Sequence, residues 1–186
     1  MRALMLAAGL VIAATAPSLA ADRKLEDFYG RYLGQGSETP ADPAEAKDKA
    51  SQKRMSEVVI EPAKAESGFT ITWSTLRLKG DDTSVGEADT KGYHQTFRAT
   101  NSATVFSDVT SGDPLKGAPT SWAYIHDDTL SIVMVQVQPN GGYFVTHYDR
   151  TLTPTGMDVR FTRIENSRIV RAVELTLQKG PKAAGH

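Results

Sequence analysis

The chain has 186 residues, 40% hydrophobic and 23% charged, with 21 basic side chains against 22 acidic ones and a formal charge of -1. That composition excludes a disordered or fibrous chain and fits one globular domain, and so even a charge balance gives no reason to expect nucleic acid or an anionic membrane surface as partner. Cysteine is absent, which excludes disulfides, thiolate metal sites, thiol nucleophiles and a cysteine-linked lipid anchor.

The chain opens with Arg2, an apolar run over residues 3–14 and the small-residue segment Thr15-Ala16-Pro17-Ser18-Leu19-Ala20. This is the pattern of a secretory signal peptide, with cleavage expected after Ala20. The apolar run is too short to cross ~30 Å of hydrocarbon comfortably. The expectation is a periplasmic or secreted protein with no stable membrane insertion, organised as one domain over residues 21–179 with a loose tail over residues 180–186.

Residues 21–28 read as a short helical turn. Phe28-Tyr29-Gly30-Arg31-Tyr32-Leu33-Gly34-Gln35-Gly36 follows, an aromatic strand interrupted by glycine. Glycine inside a strand marks strong bending or a close backbone approach, as where a first strand curls to begin a barrel. Residues 37–53 turn to Ala, Pro, Asp, Glu and Lys, which gives a solvated loop or one short helix from Asp42 with Pro43 at its first position.

Strands resume over residues 54–61 and 68–75. In the second, Phe69, Ile71 and Trp73 alternate with Thr70, Thr72 and Ser74, so that one face is buried and the other wetted. The polar loop 79–92 holds Asp81, Asp82, Glu87 and Asp89, whose spacing does not match a twelve-residue calcium loop and reads as solvated. Residues 93–99 and 103–106 form a predicted hairpin, and 108–120 a long connection with Gly112, Pro114, Gly117 and Pro119.

From residue 121 to 179 the chain is a predicted meander of strands over 122–126, 129–138, 142–153, 157–165 and 168–179. Its turns are Asp127-Asp128, Asn140-Gly141-Gly142, Pro154-Thr155-Gly156 and Asn166-Ser167, residues that tolerate turn dihedrals. Exposed sheet edges of that length would be aggregation sites unless the sheet closed on itself. The fold class is therefore all-β, a single antiparallel up-and-down barrel of about eight to ten strands. A two-layer sandwich needs longer crossovers than these turns supply.

With its Gly30-x-Tyr32-x-Gly34-x-Gly36 start and hairpin-rich remainder ending in an arginine-bearing strand, the chain resembles the calycin superfamily of lipocalins, fatty-acid-binding proteins and nitrobindin-like barrels. Tyr32 stands where those families carry Trp, and segment 37–53 has no counterpart among them. The resemblance implies a ligand in the barrel, and also a late arginine covering the first-strand aromatic, here Tyr32. Nitrobindin-like barrels hold haem through a late histidine; residues 168–179 contain none, so no cofactor is expected.

Two arginines fall on otherwise apolar strand faces: Arg163 with Met157, Val159 and Phe161, and Arg171 with Ile169, Val173, Leu175 and Leu177. Either is a candidate to receive a carboxylate head group, whose geometry fits the guanidinium fork. Trp73, Phe97, Trp122, Tyr124, Tyr143, His147 and Phe161 are candidates to line an apolar pocket, although aromatics of this kind belong first to the core. His94, His126 and His147 show no metal-binding spacing, and no Gly-x-Ser-x-Gly elbow is present, so neither metal nor catalytic residues are expected. The expected function is non-enzymatic binding of a small hydrophobic or amphipathic ligand such as a fatty acid. The alternatives are a filled barrel that serves as an envelope-associated interaction module through its loops, and a cavity enzyme such as an isomerase.

Overall fold

A computed structural model describes residues 23–40, 53–65, 67–77 and 91–181. The proposed signal peptide, the Pro43 helix and nearly all of loop 79–92 lie outside them. Among the described residues a short 3-10 helix, Leu25–Phe28, precedes ten strands: β1 Gly30–Pro40, β2 Lys53–Pro62, β3 Gly68–Arg77, β4 Lys91–Ala99, β5 Val105–Asp108, β6 Thr120–His126, β7 Thr129–Val137, β8 Tyr143–Thr153, β9 Gly156–Glu165 and β10 Arg168–Lys179. Each strand pairs antiparallel with its neighbours in sequence, and β1 pairs with β10, from Tyr32 opposite Lys179 to Pro40 opposite Arg171. The expected single antiparallel barrel is thus closed, and no strand is left as an edge.

The turns follow from their residues. Asn166 and Ser167 both take positive φ (47° and 67°) between β9 and β10, as a two-residue hairpin of primed type requires, and Asp127 (φ 51°) does so between β6 and β7. The connection between β5 and β6 contains one 3-10 turn, Pro114–Lys116, capped by the Asp113 carboxylate accepting from the Leu115 N–H.

Glycine sets the closure between β1 and β10. A Cβ on Gly34 would strike the carbonyl oxygen of Thr176, and one on Gly36 that of Glu174, so the two backbones approach as only glycine allows.

Register divides the interior into two halves. At the end where β1 begins, Phe28, Tyr32, Ile60, Phe69, Phe97, Phe106, Ile125, Leu130, Met157 and Leu177 are buried and fill the lumen. Phe69 stacks on Phe97 with ring centres 5.0 Å apart and meets Phe106 edge-on at 5.3 Å. The Tyr32 hydroxyl donates to the Phe28 carbonyl oxygen at 3.0 Å, which ties the 3-10 helix into this plug. The cation over the Tyr32 ring is Lys179, its Nζ 5.5 Å from the centre, rather than either expected arginine.

At the other end, the mouth, Tyr148, Phe161, Met134 and Phe144 point inward by register but are only partly buried. One expected face also shifts. A bulge between Ile169 and Arg171 breaks the alternation of β10, leaving Ile169 exposed while Arg171 faces the mouth.

Candidate functional site

Where the apolar plug gives way to the open half, β8 places Arg150 opposite Leu130 of β7 and Val159 of β9. Only 1% of Arg150 is exposed, and among the described residues its Nε and Nη1 find no hydrogen-bond partner. The guanidinium carbon lies 4.9 Å from the centre of the Tyr148 ring and 5.5 Å from that of Trp73. Burial pushes its pKa down to about 10, with Tyr148 and Asp149 pulling the other way, so the side chain remains a cation at neutral pH. Burial raises the Tyr148 hydroxyl above its ordinary value, against a lowering by Arg150, so that phenol remains a neutral hydrogen-bond donor.

Above this cation an aromatic layer crosses the lumen. Tyr93 stacks on Trp73 at 5.1 Å between ring centres, Trp73 meets Tyr148 at 5.3 Å, and Tyr148 meets Phe161 at 4.8 Å. Trp73 is buried within the barrel, whereas Tyr93 at the lip of the mouth is 51% exposed.

Charged side chains ring the mouth. Glu38 on β1 pairs with Arg54 of β2 through one oxygen and with Arg171 Nε through the other, the latter at 3.1 Å. Arg163 Nε lies 2.9 Å from Glu165, with the guanidinium 4.4 Å from the centre of Phe144. Arg171 also stands 5.4 Å from the centre of the Phe161 ring. Both arginines expected to await a head group are therefore already held by carboxylates. Deeper in the wall, the Asp108 carboxylate accepts from Ser121 Oγ, Gln95 Nε2 and the Thr110 N–H and hydroxyl.

Of the expected pocket residues, the structure brings Trp73 and Phe161 together in the aromatic layer and sets Arg163 and Arg171 at its rim. Phe97 belongs to the plug. Trp122, Tyr124, Tyr143 and His147 fall on the outer face, because Ser121, Ala123 and Ile125 on β6, and Thr146 and Arg150 on β8, occupy the inward parity. His147 Nε2 lies 3.1 Å from the Asp149 carboxylate, which accepts from Ser131 Oγ at 2.6 Å. The carboxylate thus stands between serine and histidine, so this cluster does not let the imidazole take the serine proton. His94 contacts Thr72 Oγ1 and His126 contacts Asp127, so the histidines stay apart; among the described residues no three side chains converge as metal ligands.

Arg150 is not among the head-group sites that the sequence suggests. The signal was present: Phe144, Thr146, Tyr148, Arg150 and Leu152 share one parity on a strand whose turn is explicit. In the sequence the Asp149-Arg150 pair, like Asp108, reads instead as one of many carboxylate sites open to acid–base work, with no motif to single it out.

A depression of about 610 Å³ lies elsewhere, on the outer surface over Gln35, Ser37, Asp149, Thr151, Arg160 and Glu174. Arg160 and Glu174 pair across it, Thr176 donates to Asp158 and Ser131 to Asp149. Several polar groups over that hollow are already paired with one another, so the lumen, where Arg150 is buried without a partner for Nε and Nη1 among the described residues, is the stronger candidate. No protein-family model, no curated protein and no solved structure matches the chain. The architecture is a closed ten-strand antiparallel up-and-down barrel, consistent with a calycin-like fold.

Proposed function

We propose that this protein is an exported binding barrel, lipocalin-like or fatty-acid-binding-like, that holds a small amphipathic anion without transforming it. One observation carries the reading: Arg150 is a fully buried cation with neither ion pair nor hydrogen bond at Nε and Nη1 among the described residues. Leaving a charge in that state costs several kcal/mol, and strongly perturbed ionisable groups of this kind cluster at functional sites. A carboxylate satisfies a guanidinium fork through two parallel hydrogen bonds. The aromatic layer supplies the apolar lining, and the leader over residues 1–20 supports a periplasmic or secreted location.

Native mass spectrometry of protein purified from its own host tests the reading. The expected spectrum shows an added mass from an anionic amphiphile, which Arg150→Met removes. A bare polypeptide mass for the wild-type protein would count for the rival reading, a filled barrel acting through its loops, which the solid packing of the plug half supports.

A further inference from the structure

Independently of what the lumen holds, we propose that Tyr93 is an oxidative-modification site, the residue at which a one-electron oxidation begun at Trp73 comes to rest, driven outward by Arg150. The oxidant class is a small inorganic radical that accepts one electron, such as the carbonate radical. Three observations carry the assignment. The first is contact. Trp73 on β3 and Tyr93 on β4 stand directly opposite in register, their rings stacked with centres 5.1 Å apart and planes 19° from parallel. Strand pairing sets the two side chains against each other, so the stack belongs to the fold. Tyr148 meets Trp73 from across the lumen, with ring centres 5.3 Å apart. Indole and phenol are the most easily oxidised side chains of this layer, and rings in van der Waals contact pass an electron readily. The hole therefore settles where it is most stable.

The second is charge. The Arg150 guanidinium carbon lies 5.5 Å from the centre of the Trp73 ring and 4.9 Å from that of Tyr148. A cation is attracted to the face of a neutral ring and repelled once that ring has lost an electron. Arg150 is buried, so little solvent screens the repulsion. A positive hole on Trp73 or Tyr148 is destabilised by it.

The third is the proton. An oxidised phenol is a far stronger acid than the phenol itself, and it holds the hole stably only after its proton has left. Of the six tyrosines Tyr93 alone is exposed, half in water at the lip of the mouth. Its proton passes directly to solvent, whereas the Tyr148 hydroxyl is enclosed and burial raises its pKa. The step balances: the inorganic radical gains one electron, Trp73 is refilled by one electron from Tyr93, and the Tyr93 phenolic proton goes to water. Two Tyr93 radicals on two copies of the chain then join ring carbon to ring carbon as dityrosine, the displaced ring protons returning to the phenol oxygens and no further electron being lost.

Flash photolysis of the full chain in a Trp122→Phe background, where Trp73 is the sole indole, tests the proposal. Light absorbed by indole alone ionises Trp73, and transient absorption follows the indolyl and phenoxyl radicals. The indolyl signal is expected to give way to phenoxyl. Tyr93→Phe, which keeps the ring and its stack, is expected to lower the phenoxyl yield about tenfold, the scale of one unit charge at this range, while Tyr148→Phe leaves it within about twofold. Arg150→Met is expected to leave a larger share of the radical on Trp73. After exposure of the unsubstituted chain to carbonate radical, peptide mapping is expected to find dityrosine at Tyr93. An absent phenoxyl signal, one that Tyr93→Phe leaves intact, or one that only Tyr148→Phe removes would overturn Tyr93 as the resting place, as would dityrosine mapped to another tyrosine. A radical share unchanged in Arg150→Met would overturn the drive assigned to Arg150.

Discussion

Arg150 stands over the face of Tyr148, its guanidinium carbon 4.9 Å from the ring centre, and among the described residues its Nε and Nη1 find no hydrogen-bond partner. The two side chains are alternate residues on the same face of β8, so the strand itself fixes the contact.

If the cation is kept for a ligand, the empty protein gains by losing it. Arg150→Met replaces a desolvated charge by an apolar chain and forfeits two cation–π contacts, for an expected net stabilisation of about 1 kcal/mol, or ~2–4 °C in Tm. Thermal unfolding of ligand-free protein checks this. A fall in Tm would mark Arg150 as a structural element of the barrel.

Binding through Arg150 carries a defined pH dependence. A bound anion raises the arginine pKa above its ligand-free value of about 10, so the electrostatic part of affinity is complete below that pH and lost as pH rises through and above it. Affinity for an acid measured between neutral pH and pH ~11 should fall at the upper end, and that for the uncharged ester should stay level.

Glu38 holds Arg54 and Arg171 at the mouth, with Arg54 almost fully buried. Glu38→Gln removes the carboxylate they share, at an expected cost of about 2 kcal/mol, read from the midpoint of urea unfolding. Glu38→Ala should cost at least as much.

Gly36→Ala drives a methyl group into the Glu174 carbonyl oxygen across the closure between β1 and β10. A loss of about 2–4 kcal/mol is expected, against changes within ~0.5 kcal/mol for His147→Ala and Trp122→Phe on the outer face, which should also leave acid binding intact. Comparable losses in all three would show that the outer face contributes to the fold more than its exposure implies.

Much of this fold is legible without coordinates, because the turn residues Asp127-Asp128, Asn166-Ser167 and Pro154-Thr155-Gly156 fix hairpin positions and each hairpin fixes a register. The inward set Phe69, Ile71 and Trp73 follows from period-two alternation alone. Height along the barrel does not, since it depends on the stagger accumulated around the whole sheet. Phe97 and Phe161 both face inward, yet one lies in the plug and the other in the open half. The same ignorance of pairing makes Arg171 an attractive anchor, since Glu38 meets it only across the closure of β1 on β10, whereas Glu165 already shares the parity of Arg163 two residues along β9. Ile169 shows the other limit, a bulge that no residue type in Arg168-Ile169-Val170-Arg171 announces.

The strand that completes the cylinder is the last one made. Tyr32 finds Lys179 only after everything between them has been made, so the glycine-lined seam is among the last pairings that can form. Until then β1 and β9 each present an unpaired rim to other chains. A newly made molecule is therefore most open to self-association just before its final strand docks.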